Sequence, residues 1–313
     1  MEDSNPRPSI DIDVLNRFLV QVGSYREDLI FFKGDLAEIY HYTDLAGLQG
    51  IVENHDLWLT HSQYCNDEEE LTHGQRVVDE ILSEELAKPN DPNREAYLKL
   101  LAGIFKKPSP EGVYICCFCE KGNLLSQWRG YSANGTGVAI GLDPQGFGYI
   151  TGPDSPSCGL VRLWRVFYEE SQQRNIVRQA VEFAFIDPLL QAKPVEERAQ
   201  RAADAIQFFI PTFKNKDFED EKEIRLIFTP YPQSVPQPKP VRPKFRVARG
   251  FLIPYYSLKE LSQNPQTPPR LPITGVCVGP SVNKRSNVES ARMLLAKAGY
   301  PDNVTSSDTP YRG

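Results

Sequence analysis

The chain has 313 residues, of which 40% are hydrophobic and 24% charged, and its formal net charge is −6. This composition is typical of a folded globular protein with one large domain or two ordinary ones. The negative charge argues against nonspecific nucleic-acid binding by the whole surface. We expect a cytoplasmic protein without a membrane span, because no apolar run is long enough to cross a bilayer and no secretion signal is evident.

The N-terminal segment, residues 1–35, is predicted to be a helical extension. Its apolar residues recur at a helical spacing that would pack one face on a core: Ile10, Val14, Leu15, Phe18 and Leu19. Residues 36–313 are then predicted to form a single domain of mixed helix and strand. The six cysteines, three of them crowded in the run V-Y-I-C-C-F-C, are interpreted as small buried side chains of a reducing compartment.

The first predicted strand is I-Y-H-Y-T, and Thr43 or Asp44 can cap the helix that follows it. A second short strand is predicted at 57–60. The segment N-D-E-E-E-L then opens a longer helix, and another helix is expected between Asn93 and Lys107. His41 therefore lies on a strand, beside a junction with a helix.

The middle of the chain is predicted to alternate between short elements. A buried strand at 113–119 precedes the short helix or turn N-L-L-S-Q-W-R-G-Y, and G-V-A-I-G-L is another strand. Further on, we expect a strand in V-R-L-W-R-V-F-Y, helices near 171–187 and 195–213, and the strand I-R-L-I-F-T. A proline-rich loop at 230–243 precedes a final strand, I-T-G-V-C-V-G-P, and a helix closed by Gly299.

Several kinds of site can be set aside on spacing. The four histidines lie within 33 residues of one another, but they fit no compact ligand motif, so no metal site is predicted. A serine hydrolase is not indicated, because G-x-S-x-G is missing. The glycines of N-G-T-G-V-A-I-G lead into a strand and lack the lysine-serine pair of a phosphate loop, so they indicate a turn.

An acidic pair at the start of a late strand is the second informative feature. Glu221 and Glu223 are separated by one residue in D-E-K-E-I-R-L. In a strand, residues two apart face the same side, so both carboxylates could reach one cleft. The alternative is a solvated acidic loop that keeps a sheet edge from aggregating.

Taken in order, Y-H-Y-T, N-D-E-E-E, S-Q-W-R-G-Y-S with G-V-A-I-G, and E-K-E-I-R-L resemble a widespread bacterial family of unknown function, over roughly residues 38–311. The same pattern resembles ADP-ribosyltransferases of the histidine-tyrosine-glutamate type. The resemblance implies an α+β fold with an ADP-ribosyltransferase-like core, in which two small bent sheets form an NAD-sized cleft with helices around them. It also implies NAD as substrate, and a bacterial toxin or phage-defence effector that modifies a protein or nucleic acid.

The chemistry of NAD cleavage assigns roles within that resemblance. Breaking the nicotinamide–ribose bond creates an oxocarbenium-like centre that needs a nearby carboxylate, predicted to be Glu223, while Glu221 orients or deprotonates the acceptor. His41 would hold ribose hydroxyls, and Tyr131 would stack on nicotinamide. The full set implied to bind NAD spans the first strand, the acidic helix start, the middle helix and the late strand: His41, Tyr42, Thr43, Asn66, Glu70, Ser126, Trp128, Tyr131 and Arg225.

Each of these residues also has a structural interpretation. His41 could be a core histidine, Asp67 with Glu70 resembles a capping box, and Trp128 with Tyr131 could share a buried helix face. Arg225 could pair with Glu70 or Glu223. In a regular strand Tyr42 should point away from His41, which favours a core position for it.

Two other functions remain open at this level. Asp220-Glu221-Lys222 fits the acid-x-lysine element of a metal-dependent nuclease, with Asp143 as a partner. The chain could also be a ligand sensor or binding module without turnover, with an immunity or regulatory partner. The basic run from Lys239 to Arg249 is interpreted as a solvated loop and edge strand. Its charge slightly favours nucleic acid as the acceptor.

Overall fold

A computed structural model describes residues 12–21, 36–65, 69–106, 112–147, 159–230, 241–248, 250–262 and 270–310. These residues form a mixed α+β protein. The helices are α1 (Ile12–Gln21), α2 (Leu45–Asn54), α3 (Glu69–Ala87), α4 (Pro92–Phe105), α5 (Leu125–Tyr131), α6 (Glu170–Ile186), α7 (Pro188–Gln191), α8 (Val195–Phe209), α9 (Leu258–Leu261) and α10 (Lys284–Ala298). The strands are β1 (Ile39–Thr43), β2 (Trp58–His61), β3 (Tyr114–Cys119), β4 (Val138–Leu142), β5 (Gly159–Arg165), β6 (Glu223–Pro230), β7 (Lys244–Ala248), β8 (Phe251–Ser257), β9 (Ile273–Val278) and β10 (Val304–Ser306).

These strands belong to one mixed sheet with a fork at β3. The main order is β10-β9-β4-β1-β3-β2-β8-β7, while β6 pairs with β3 and β5. Strand β6 follows one edge of β3 along its whole length. On the other edge, β2 pairs only with the start of β3 and β1 pairs with it only at Tyr40↔Cys119. The prediction of two separate small sheets is therefore corrected: a single sheet has a narrow join between β1 and β3.

The two faces of the sheet are covered differently. One apolar core lies between the sheet and helices α2 and α10, and it takes alternate side chains of β1, β3, β4, β6 and β9. A second core is formed by α1, α3, α4, α6 and α8, which pack on one another and on β5 and β6 through Trp164 and Ile227. The helical layer thus covers the β5–β6 branch of the fork on the second face.

Within the predicted N-terminal helical segment, the described residues 12–21 form α1, which packs into the helical layer. Phe18 is fully buried, and its ring lies 5.5 Å from that of Phe183 and 6.1 Å from that of Phe209. The helical spacing of apolar residues identified this contact face correctly. Ile10, the first residue of that pattern, lies outside the described residues.

The capping prediction at the β1–α2 junction is also confirmed, with Asp44 as the capping residue. Its Oδ1 accepts a hydrogen bond from the Gly47 amide, 2.6 Å away, and its backbone is extended. This cap ends β1 and starts α2 two residues after His41. Residues 66–68 and 231–240, with the predicted acidic helix start and most of the proline-rich loop, lie outside the described residues. Across the described ranges, no helix has the length and apolar character needed to cross a bilayer.

Candidate functional site

A small cavity of about 70 Å³ lies at the narrow join of the sheet. It is lined by residues from β1, β3, α5, β6 and the segment before β6: Tyr40, His41, Tyr42, Cys117, Phe118, Gln127, Tyr131, Glu221 and Glu223. The pairings Tyr40↔Cys119 and Cys119↔Glu223 place β1, β3 and β6 side by side at this level. The predicted histidine, tyrosine and acidic pair therefore come together, although they are far apart in sequence.

His41 occupies the gap that β1 and β2 leave along the edge of β3. Its Nδ1 lies 2.9 Å from the carbonyl oxygen of Cys117. A carbonyl can only accept, so Nδ1 carries the proton and Nε2 keeps its lone pair. Burial lowers the pKa of His41, and the bond to Cys117 offsets this only in part. Within the described part of the chain, Nε2 has no hydrogen-bond partner, so a neutral His41 offers an acceptor at the cavity.

We predict that His41 titrates below its usual pKa of 6.5 and is an Nδ1–H tautomer at neutral pH. Side-chain ¹⁵N and ¹³C chemical shifts, followed from pH 7.5 to pH 4.5, measure both properties, and His41→Gln assigns the signals. A midpoint at or above 6.5, or an Nε2–H tautomer, would contradict the geometry. Because the folded pKa is lowered, this group should reduce stability as pH falls below 6.5.

The acidic pair reaches one place by a route that strand geometry did not predict. Glu221 is the last residue of a short 3₁₀ helix (Lys216–Glu221), and Lys222 has a left-handed backbone with φ of 45°. Only Glu223 is in a strand. The two carboxylates nevertheless converge on the buried ammonium of Lys214, at 2.7 Å from Glu221 Oε2 and 2.9 Å from Glu223 Oε2. The expectation that both acids reach one cleft holds, but the reason is Lys214 and not the alternation of a strand.

Glu223 is fully engaged by its neighbours. Arg225 donates to it in bidentate fashion, from Nε to Oε1 at 2.8 Å and from Nη2 to Oε2 at 2.9 Å. Lys214 and the side chain of Cys117 supply two further hydrogen bonds. Burial alone would raise the pKa of Glu223, but Arg225, Lys214 and Cys117 outweigh it and lower the pKa to about 2. Four bonds match the acceptor capacity of a carboxylate, and its side chain is 6% exposed.

Glu221 is the more available of the two acids. Its side chain is 16% exposed, Oε2 accepts from Lys214, and Oε1 accepts from the hydroxyl of Tyr131 at 3.3 Å. Burial and the charge of Glu221 raise the pKa of Tyr131, so the hydroxyl keeps its proton. These two bonds leave acceptor sites on Glu221 for a ligand.

The aromatic residues predicted to contact NAD lie in two places, the apolar core and the cavity wall. Trp128 is corrected from a stacking ring to a core residue: it is fully buried, it does not line the cavity, and its Nε1 donates to Asn123 at 2.9 Å. Tyr42 packs on Trp128 with ring centroids 4.8 Å apart, and its hydroxyl donates to the Lys121 carbonyl, so its ring belongs mainly to the core. Tyr131 is the candidate ring that faces the cavity.

Other predicted residues lie away from the cavity lining. Ser126 is exposed on the first turn of α5, and Thr43 is at the end of β1. Arg225 is corrected from a ligand contact to a buried partner of Glu223, and its Nη1 donates to the Pro211 carbonyl at 2.7 Å. Asn66 lies outside the described residues, and Glu70 is on α3 with no described side chain.

The metal-nuclease alternative requires Asp143 to lie near Glu221. Asp143 is not among the residues that line the cavity, and its Oδ1 accepts from the Gln145 amide at 2.9 Å. Across the described ranges, no group of three or more His, Cys, Asp or Glu side chains is placed to hold a metal ion. Cys116 and Cys119 have C-x-x-C spacing, but residues three apart on a strand point to opposite faces.

Sequence reasoning missed three residues of the site. Lys214 bridges the two acids, Gln127 is a buried polar residue of the cavity wall, and the Cys117 carbonyl orients His41. A lysine directly after the run F-F-I-P-T-F, seven positions before Glu221, was a weak signal that no spacing rule converts into a contact. The carbonyl has no sequence signal at all.

Comparison with protein-family models matches about a third of the chain. Residues 127–226 match a family model described as "Protein of unknown function (DUF2971)". The matched segment runs from Gln127 to Leu226 and so contains most of α5, Lys214 and the acidic pair, while His41 and Cys117 lie before it. No curated protein matched this chain. No solved structure matched it either.

Proposed function

We propose that this chain is an NAD-dependent ADP-ribosyltransferase that cleaves the nicotinamide–ribose bond at the β1–β3 join, as a toxin or defence effector in its biological setting. One observation carries the proposal: His41, Tyr131 and the Glu221–Glu223 pair, contributed by β1, α5 and the start of β6, line the same cavity. The single pairing between β1 and β3 leaves an opening in the sheet at which these side chains meet.

The cavity takes only the reacting end of the dinucleotide. Its volume of about 70 Å³ is below the several hundred Å³ of a pocket that encloses a whole ligand. In the proposal, the nicotinamide and its ribose enter beside Tyr131, and the rest of NAD lies along the outer surface. Tyr131 stacks on the nicotinamide ring and helps to fix the direction in which it leaves.

The residues then have the following roles. His41 Nε2 accepts a hydrogen bond from a ribose hydroxyl, because Nδ1 is held by Cys117. The C1′–N bond breaks, nicotinamide leaves with the bonding electrons, and positive charge develops on the ribose. We assign stabilisation of this charge to Glu221, in place of the sequence-based choice of Glu223, because Glu223 already accepts four hydrogen bonds. A nucleophile of the acceptor then forms a bond to C1′ and releases its proton to solvent. When water is the nucleophile, the result is NAD hydrolysis.

The direct test uses NAD labelled in its adenylate. Wild-type protein with cell lysate should release nicotinamide and place label on protein or nucleic acid. Tyr131→Ala should reduce this activity about fivefold, since ring stacking contributes of the order of 1 kcal/mol, whereas Tyr131→Phe keeps the ring and should stay within about twofold of wild type.

Two results would count against the proposal. If wild type neither transfers label nor releases nicotinamide, the chain is better described as a ligand-binding module. If Tyr131→Ala and Tyr131→Phe lose activity equally, with equal unfolding temperatures, the hydroxyl bond to Glu221 and not ring stacking is what matters.

A further inference from the structure

The β7–β8 hairpin carries an unusual surface at one end of the sheet. Residues 241–262 contain four basic residues in their described part, Arg242, Lys244, Arg246 and Lys259, against one acid, Glu260. The chain as a whole has a net charge of −6. This segment therefore runs against the sign of the rest of the protein.

Aromatic rings lie among these charges on one face of the sheet. Trp58 on β2 is 45% exposed and stacks on Tyr255, with centroids 4.5 Å apart and planes 31° apart. The guanidinium of Arg246 lies 5.7 Å from the Trp58 ring, and Phe251 near the hairpin turn is 61% exposed. We call this surface, defined by Trp58, Lys244, Arg246, Phe251 and Tyr255, the aromatic–basic face.

Arg246 has hydrogen-bonding capacity left over. Its Nη2 donates to Thr60 Oγ1 at 3.2 Å, and among the described residues its Nε has no partner. A guanidinium has five N–H donors. Because Nε is buried, an anionic ligand on the aromatic–basic face would bind the guanidinium through its Nη groups.

The aromatic–basic face and the acidic pair lie on the same side of the sheet. Directly paired residues of antiparallel strands point to one face, and the pairs Lys244↔Tyr255, Tyr255↔Thr60 and Thr60↔Ile115 lead from β7 to β3. Cys117 and Cys119 share the face of Ile115, and Cys119 pairs with Glu223. Three strand spacings and two residues along β3 separate Lys244 from Cys117 by roughly 16 Å.

We propose that the aromatic–basic face binds single-stranded nucleic acid and presents it to the cavity. Exposed rings accept bases by stacking, and arginine and lysine neutralise phosphates, which is the combination used by proteins that bind single strands without sequence preference. Duplex bases are already stacked on one another, so a duplex should bind more weakly. If the chain is the proposed transferase, single-stranded nucleic acid would be the acceptor that it modifies, so this role rests on the proposed function. Binding of the strand itself requires no NAD.

The test measures binding without NAD. The probe is a labelled single-stranded DNA or RNA of about 20 nucleotides, followed by fluorescence anisotropy between about 50 and 200 mM salt. Wild type should bind, with affinity that falls as salt rises. Trp58→Ala should weaken binding at least about fivefold, because stacking contributes 1–3 kcal/mol per base. Arg246→Gln should weaken it similarly and reduce the salt slope by about one.

The matched control is Arg285→Gln, which removes an equal charge from the exposed surface of α10 and should bind like wild type. Unfolding temperatures equal to that of wild type confirm that each variant is folded. Absence of oligonucleotide binding by wild type overturns the inference, as does equal weakening by all three variants. Binding to anionic lipid vesicles, but not to oligonucleotides, would assign the face to a membrane surface. If wild type releases nicotinamide but binds no oligonucleotide, only the nucleic-acid inference is wrong. If it binds the oligonucleotide but releases no nicotinamide, only the proposed transferase function is wrong.

Discussion

Glu221→Gln should slow nicotinamide release from NAD by about 10²–10³-fold, while the unfolding temperature stays close to that of wild type. Glutamine keeps the size of the side chain and can still accept from Tyr131, but it has no charge to oppose the positive ribose. Such a loss is typical when one group that stabilises transition-state charge is removed. Lys214 keeps its second partner, Glu223, so the buried ammonium is not left unpaired.

Steady-state kinetics measure this prediction. The loss should lie in kcat, with KM within a few-fold of wild type, because the interaction strengthens only as charge develops. Glu120→Gln is the matched control: Glu120 pairs with Arg165 at 2.9 Å, near the site but outside the cavity lining, and this variant should have normal activity. If Glu221→Gln is active and folded Glu223→Gln is inactive, the sequence-based assignment of Glu223 is restored.

Glu223→Gln should reduce the free energy of unfolding by about 3–5 kcal/mol, the largest stability effect expected at the site. The substitution removes the carboxylate that pairs with Arg225, which is 1% exposed, and one of the two carboxylates that pair with Lys214. Breaking a buried ion pair by removing one partner leaves an uncompensated charge, whereas an exposed pair contributes about 0–1 kcal/mol. Urea unfolding at pH 7 measures the difference, and the more exposed Glu120→Gln sets the scale for a surface pair.

The same residue should shape acid unfolding. Its folded pKa is lowered from 4.5 to about 2, so the stability it contributes is fully present well above pH 4.5 and is lost as pH falls from about 4.5 to 2. Glu223→Gln should remove this part of the acid dependence and flatten the curve in that window. Equal slopes for wild type and variant there, or a stability loss no larger than that of Glu120→Gln, would contradict the ion-pair geometry.

The structure gives the two acids of the E-x-E motif different roles, which the motif alone does not distinguish. Glu221 and Glu223 look interchangeable as E-x-E, and both line the cavity, but their partners differ: Glu221 accepts from Tyr131, whereas Glu223 is held by Arg225. A carboxylate that already accepts four hydrogen bonds positions its neighbours, whereas one with acceptor sites to spare can receive a ligand. The proposed chemistry follows from this difference.

The sequence by itself determined the local elements, because periodicity and capping act over a few residues. The burial of Phe18, the cap at Asp44 and the strand that carries His41 were all predictable from neighbouring residues. The family resemblance further predicted that a histidine, a tyrosine and a glutamate share one site. These conclusions required no knowledge of how strands pair.

The tertiary structure alone decided which of these residues meet. The fork at β3 depends on strand pairing between distant segments, and it creates both the gap filled by His41 and the cavity beside it. Lys214 became part of the site because a left-handed residue at Lys222 turns two acids toward one ammonium. Trp128 is buried in the core because it packs against strands that are distant in sequence. Contacts between residues far apart in sequence carry no spacing rule, so only the folded chain shows them.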